Sequence, residues 1–283
     1  MSKIEDEVME YLGYCEKVRQ MSQNTLAAKR LILARFARES EAKCMAELTN
    51  YRFNQWVKCE MARGVSARSM NIYNSVVVAM VRYFRGVGVM VPLNLSLVVR
   101  LKEEKVQRKF YTAAEVECVV DLADEVTGLM IRIMFETGMR IAELTRLKVS
   151  DFDGRKISFV GKGRKRRDVY LSKKTLGLVR RYLRRYGVEN NLWCVCGGGV
   201  SGNGEPVTVN TARVWMRRAF QAAGFWDFYP HALRHSFATD LQLKGASVAE
   251  IKEMIGHSSI ATTERYLHGF DGRLLELWEK YKQ

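Results

Sequence analysis

Along the first 87 positions, apolar residues recur every three or four places, the spacing of helices that face a core. In the stretch 67–86, Met70, Tyr73, Val77, Met80, Val81 and Phe84 share one side. Arg68, Asn71 and Asn74 lie opposite, on its first turns. Four helices are expected, over about 3–19, 23–39, 45–62 and 67–86, with Ser22 or Asn24 and Ser66 as N-caps. A Gly- and Val-rich stretch, Gly86 to Pro92, then breaks the pattern, and the charged run Lys102 to Lys109 (KEEKVQRK) follows. The expected organisation is a helical unit over 1–87, a linker over 88–110 and a second unit over 111–283.

The second unit opens on Thr112-Ala-Ala-Glu115, a capping box in which each side chain satisfies the other residue's backbone N–H. A helix to about Asp124 and an apolar helix through Met130, Ile133 and Phe135 are expected. Two short β-like runs, Lys156–Val160 and Asp168–Leu171, flank Gly161-Lys162-Gly163-Arg164-Lys165, the pattern of a hairpin with a long basic turn. Helices are expected again over about 173–186, 209–223, 231–244, 247–255 and 260–267, then a short amphipathic tail. The fold class is mainly α with a small antiparallel sheet.

Composition sharpens the picture. Lys and Arg number 46 against 31 acidic residues, a formal charge of +15. Up to Arg108 there are 18 basic and 11 acidic residues (+7), and beyond it 28 and 20 (+8), so both halves are basic. A polyanion gripped by both units would account for this balance. The six cysteines, scattered without a disulfide rhythm, and the acidic N-terminal stretch point to a soluble cytoplasmic protein. No apolar run reaches membrane-spanning length, so no membrane role is expected. Cys194-Val-Cys196 lacks a second ligand pair, so no metal site is assigned there. Asp151 and Asp153 read as part of a turn rather than a calcium loop.

Three segments carry polar residues where a helical core would not ask for them: Thr137-Gly-Met-Arg140-Ile-Ala-Glu143-Leu, His231-Ala-Leu-Arg234-His235, and Gly256-His257 followed nine residues later by Tyr266. Three of the chain's four histidines lie in them, and the fourth, His268, sits just beyond Tyr266. Phosphodiester transfer without a metal needs fixed cations for the phosphate, for which arginine's planar fork is suited. It also needs a nucleophile with a proton acceptor nearby, and a proton donor for the leaving oxygen. Two arginines, a lysine, one or two histidines and a tyrosine make the minimum set. His231 and Arg234 at i and i+3 project from one helix face, and Pro230 suits the start of that helix. Arg140 and Glu143 share a face in the same way, which places Glu143 to orient an arginine.

The segments TGMRIAEL, GKGRKR, PHALRHSFATDL and IGHSSIATTERYLH, in this order, resemble the signature segments of the tyrosine recombinases, also called the phage integrase family. The length and the two-unit plan most resemble the Xer-type members. The resemblance implies a C-shaped two-domain clamp on DNA, with the first unit as core-binding domain and the second as catalytic domain. It implies that Arg140 and Arg234 clamp the scissile phosphate and that Lys162 protonates the leaving oxygen. His231 would take the proton from Tyr266, His257 would hydrogen-bond the phosphate, and Tyr266 would form a 3′-phosphotyrosyl intermediate. Neither ATP nor a metal would be needed, and no cofactor is expected. Glu143 and His235 are expected in support, and His268 is read as structural or supporting. Arg68, Asn71, Arg164 and Lys165 are expected to touch DNA, with Lys165 the fallback for Lys162.

The tail over 267–283 carries an apolar stripe, Leu274, Leu275, Leu277, Trp278 and Tyr281, that would pack on its own domain or, as the resemblance implies, dock on a neighbouring protomer and give a dimer to tetramer on DNA. The role implied is nucleoid-associated resolution of chromosome or plasmid dimers. Integration or excision of a mobile element, a type IB topoisomerase, and an architectural DNA-binding protein without chemistry are the competing readings.

Overall fold

The computed structural model describes residues 3–103, 109–161, 166–196, 199–200 and 204–256. The chain divides into two compact units, Met1–Val106 and Gln107–Gln283.

The first unit holds α1 (Lys3–Lys17), α2 (Gln23–Glu39), α3 (Asn50–Ala62) and α4 (Ala67–Gly86). Ser22, Thr49 and Ser66 cap the last three by accepting from Thr25, Arg52 and Ser69 N–H groups. The helix expected over 45–62 is therefore interrupted. Met45–Glu47 form one 3-10 turn, and the chain restarts at the Thr49 cap because Met45 and Leu48 both turn into the core. Leu33, Phe36, Phe53, Trp56, Met70, Val77, Met80 and Val81 fill that core.

Residues 89–101, expected within a linker, pack on the same core through Val91 and Leu93. Arg85 donates to the Val91 and Leu93 carbonyls, at 2.8 and 2.6 Å. Asn71 donates to Leu101 O (3.0 Å) and accepts from Leu101 N–H (2.9 Å). Side chains thus satisfy part of the backbone of a strip without ladder partners, and a 3-10 turn at Leu95–Leu97 satisfies another part.

The second unit begins with α5 (Ala113–Leu122), where the Thr112–Glu115 box forms as the sequence pattern requires. Its centre is α6 (Glu125–Thr137), capped by Asp124 and buried from Val126 through Met134. Apart from Thr127 and Arg132, which is paired with Glu117, that run is apolar or glycine and has to be enclosed. Here α5, α8 (Lys173–Tyr186), α9 (Val209–Ala222) and α10 (Pro230–Leu243) surround it.

The expected hairpin is β2 (Lys156–Val160) paired antiparallel with β3 (Arg166–Tyr170), and a two-residue β1 (Phe152–Asp153) adds an edge. Ile157, opposite Val169, and Phe159, opposite Arg167, face inward. A second sheet, β4 (Cys194–Cys196) between β5 (Gly199–Val200) and β6 (Glu205–Pro206), has no counterpart in the sequence reading. Its strands are too short for an alternation to show. The last described helix is α11 (Val248–Ile255), which packs on α10 through Ile251, Ile255 and Ala238. Among the described residues, no helix is long and apolar enough to cross a membrane.

Tyr111 anchors the start of the second unit. Its ring lies among Phe220, Phe225 and Phe228, and its N–H donates to Ser236 Oγ at 2.7 Å. Its buried hydroxyl has no hydrogen-bond partner among the described residues. Burial pushes its pKa up from 10.0 to about 12, so the folded state favours the neutral phenol. That contribution is complete below pH 10 and is lost as pH rises from 10 towards 12. Tyr111→Phe removes both the orphan hydroxyl and the ionisation. It should raise unfolding free energy at neutral pH by about 1 kcal/mol and flatten the alkaline limb, as measured by urea titrations across pH 8–12.

Candidate active site

Two helix ends build the site. At the C-terminus of α6, Gly138 takes the left-handed conformation (φ 60°), its N–H accepted by Met134 O. A Cβ at Gly138 would lie 2.4 Å from the Phe237 ring, so this turn has room for glycine alone. Two residues later Arg140 caps the short helix α7 (Ile141–Leu144). Its backbone N–H donates to Glu143 Oε2 (2.8 Å) and its Nη1 to Glu143 Oε1 (2.6 Å). The carboxylate expected to orient an arginine therefore holds Arg140 at both ends, while the Arg140 side chain stays 34% exposed.

The second frame is α10. Pro230 occupies its first turn, so the missing N–H costs no hydrogen bond. His231 is exposed and Arg234, one turn on, is fully buried. Arg234 Nη1 donates to Gly138 O (2.6 Å) and Nη2 to Ile255 O (2.8 Å). Both acceptors sit at helix C-termini, where carbonyls lack intrahelical donors and the helix dipole is negative. A guanidinium is a fitting partner there, because it supplies donors in a fixed fork and cannot lose its charge.

Arg167, which the sequence reading left within a crowd of basic residues, joins the same frame. Its Nε donates to Met254 O (3.0 Å) and its Nη2 to Thr137 O (3.1 Å) and, in a short contact, to Met254 O. Its Nη1 lies 3.9 Å from Glu143 Oε2. Its guanidinium faces the Phe159 ring at 5.7 Å. Burial pushes its pKa down to about 10, and neighbouring Arg140 adds to the shift while Glu143 opposes it. Strand alternation carries the signal that would have found it. Val169 faces inward, so Arg167, two residues earlier, does too.

The structure thus brings together Arg140, Glu143, Arg234 and Arg167, with His231 on the same helix as Arg234. Lys162, Arg164, Lys165, His257 and Tyr266 lie outside the described residues. His235 is buried, its ring edge-on to Phe110 at 6.2 Å. In the first unit Arg68 is exposed. Asn71, by contrast, spends both amide donors on Leu101 O and Glu103 Oε1 and its oxygen on Leu101 N–H.

The model of the phage integrase family matches residues 100–273, well over half of the chain. The chain belongs to this family. A tyrosine recombinase of Thermosipho africanus is 32% identical over 188 residues, 61% of this chain and 62% of the relative. The chain thus spans about three-fifths of that protein. A tyrosine recombinase XerC of Xanthomonas axonopodis pv. citri is 28% identical over 287 residues, covering 92% of this chain and 91% of the relative.

Among solved structures of the family, a XerH site-specific recombinase bound to palindromic difH substrate in a post-cleavage complex matches with TM-score 0.76. Its identity is 22%, with coverage of 98% of this chain and 85% of that one. A lambda integrase tetramer bound to a Holliday junction matches with TM-score 0.73 at 19% identity, covering 90% and 77%. At these identities the likeness establishes the family fold.

Two glycines at the same φ of 60° separate conformational strain from crowding: Gly138, against Phe237, and Gly187, with nothing within 4 Å. Gly187→Ala should cost about 1 kcal/mol. Gly138→Ala should cost about 3 kcal/mol, because the Phe237 ring must also move. Denaturant unfolding of the two variants measures the difference, and equal losses would mean the Phe237 contact is not tight.

Proposed function

We propose that this chain is a site-specific DNA recombinase that cuts and rejoins strands through a phosphotyrosyl bond to Tyr266. The observation that carries the reading is the anchoring of Arg234. A wholly buried guanidinium, tied to the ends of two helices, one of them two residues before the partly exposed Arg140, suits an anionic phosphate whose charge grows in the transition state. In this reading Arg140 and Arg234 hold the scissile phosphate and His231 accepts the Tyr266 proton. His257 donates to a phosphate oxygen, and Lys162 gives a proton to the leaving 5′ oxygen. The tyrosyl oxygen bonds to phosphorus as the 5′ oxygen leaves, so one ester replaces another. A second strand's 5′ hydroxyl then reverses the step, and no ATP or metal enters the balance.

The first unit serves as core-binding domain, with Arg68 among its DNA contacts, and Arg164 and Lys165 touch the DNA from the hairpin turn. We do not assign a DNA contact to Asn71, whose amide is fully engaged within its own unit. The protein works on nucleoid DNA as a dimer to tetramer joined by the 267–283 tail, in Xer-like dimer resolution. The match to a XerC over 92% of this chain and 91% of that protein supports that role. An architectural reading is disfavoured because every member of the residue set is present in the sequence.

The test is a nicked duplex carrying a candidate recombination site, incubated with parent and Tyr266→Phe in the presence of a chelator and resolved on a denaturing gel. The parent should give a covalent adduct and the variant none, and Arg234→Ala should slow adduct formation by about 10²–10³-fold. An adduct retained by Tyr266→Phe would remove the nucleophile assignment. Salt-sensitive binding without any adduct would favour the architectural protein.

A further inference from the structure

Glu143 stands between two guanidiniums. Oε1 accepts from Arg140 Nη1 at 2.6 Å, and Oε2 accepts the Arg140 N–H at 2.8 Å. On its other side Arg167 Nη1 is 3.9 Å from Oε2, too far for a hydrogen bond. That Nη1 is buried and has no hydrogen-bond partner among the described residues. The rest of the Arg167 side chain is fixed: Nε and Nη2 are tied to Met254 O and Thr137 O, and only 10% of the side chain is exposed. Arg167 is thus held in place with one pair of donors spare, aimed at the carboxylate that occupies Arg140.

Arg140 gives Glu143 its backbone N–H and its Nη1, and a phosphate that binds Arg140 competes with the carboxylate for that Nη1. We propose that Arg167 is a positioning residue that draws Glu143 away as Arg140 turns to the scissile phosphate, leaving Arg140 free to bind the anion. A shift of about 1 Å in the Glu143 side chain would bring Oε2 from 3.9 Å to hydrogen-bonding distance of Nη1. The charge balance points the same way. With Arg167, the carboxylate faces two cations and the cluster keeps a net positive charge for the phosphate. Without it, Arg140 and Glu143 form a neutral pair. With only 10% of its side chain exposed and its spare donors facing Glu143, Arg167 acts through that carboxylate. Burial depresses its pKa only to about 10, so it remains charged at neutral pH.

The inference rests on the cleavage reading, and the experiment separates the two. Single-turnover cleavage of the nicked duplex is measured at saturating DNA for the parent, Glu143→Gln, Arg167→Gln and the double variant, with DNA affinity measured in parallel. Arg167→Gln should slow cleavage by about 30-fold or more while affinity changes by less than about 3-fold. Glu143→Gln weakens the competing grip on Arg140, so the double variant should cut no more slowly than Arg167→Gln alone.

A cleavage rate equal to the parent's, a loss that lies wholly in affinity, or losses that multiply in the double variant would each overturn the proposal. Arg167→Lys guards against misfolding. It keeps the charge opposite Glu143 and should cut faster than Arg167→Gln, whereas a merely structural role would leave the two alike at matched folded fraction. A parent that forms no adduct would instead overturn the cleavage reading itself.

Discussion

A helix that ends inside a protein leaves carbonyls without donors, and a guanidinium buried without acceptors is costly. In the second unit each problem solves the other. The ends of α6 and α11 present Thr137, Gly138, Met254 and Ile255 carbonyls, and Arg234 and Arg167 satisfy them. The two arginines come from a helix and a strand, so this exchange fixes α6, α10, α11 and β3 relative to one another. It also fixes the cations themselves, since a fork with two or three defined acceptors has little rotamer freedom left. Rigid placement of charge is what electrostatic catalysis requires, because dipoles that need not reorganise lose nothing at the moment of reaction.

The frame depends on details that appear minor in isolation. Gly138 must be left-handed for its carbonyl to meet Arg234 while the chain turns into the Arg140 cap, and Phe237 from α10 closes over that turn. At the other end, Gly256 caps α11 with Arg167 lying against it. The central helix α6 is buried from Val126 through Met134 and again at Thr137, which holds its C-terminus in place. Tyr111 and its Ser236 bond hold the entry of the unit to α10, the helix that carries His231 and Arg234. Fold and site therefore share their supports.

Much of this is legible in the amino-acid sequence. The period of the apolar residues gave most of the helices, the Thr112–Glu115 box gave the start of α5 to the residue, and alternation around a basic turn gave the hairpin. Arg140, Glu143, His231 and Arg234 stood out because polar residues at helical spacing need a reason. Other features were hidden for physical reasons. The break before α3 comes from Met45 and Leu48 both reaching the core, a tertiary demand that local propensity does not show. Residues 89–101 lack periodicity because side chains such as Arg85 and Asn71 and a short 3-10 turn, not a ladder, satisfy their backbone. Arg167 was hidden because the strand expected over 168–171 leaves it in the basic turn, whereas β3 begins at Arg166 and turns Arg167 inward with Val169.

The central claim is that Arg234, preset in its frame, and Arg140 beside Glu143 together neutralise the scissile phosphate. Replacing that phosphate with an uncharged methylphosphonate tests it most directly, in variants whose circular dichroism matches the parent's. If the account holds, Arg140→Ala and Arg234→Ala will cut the neutral linkage far better, relative to the parent, than they cut the phosphodiester. Equal defects on the charged and neutral linkages would contradict it, since the arginines would then serve some purpose other than offsetting phosphate charge.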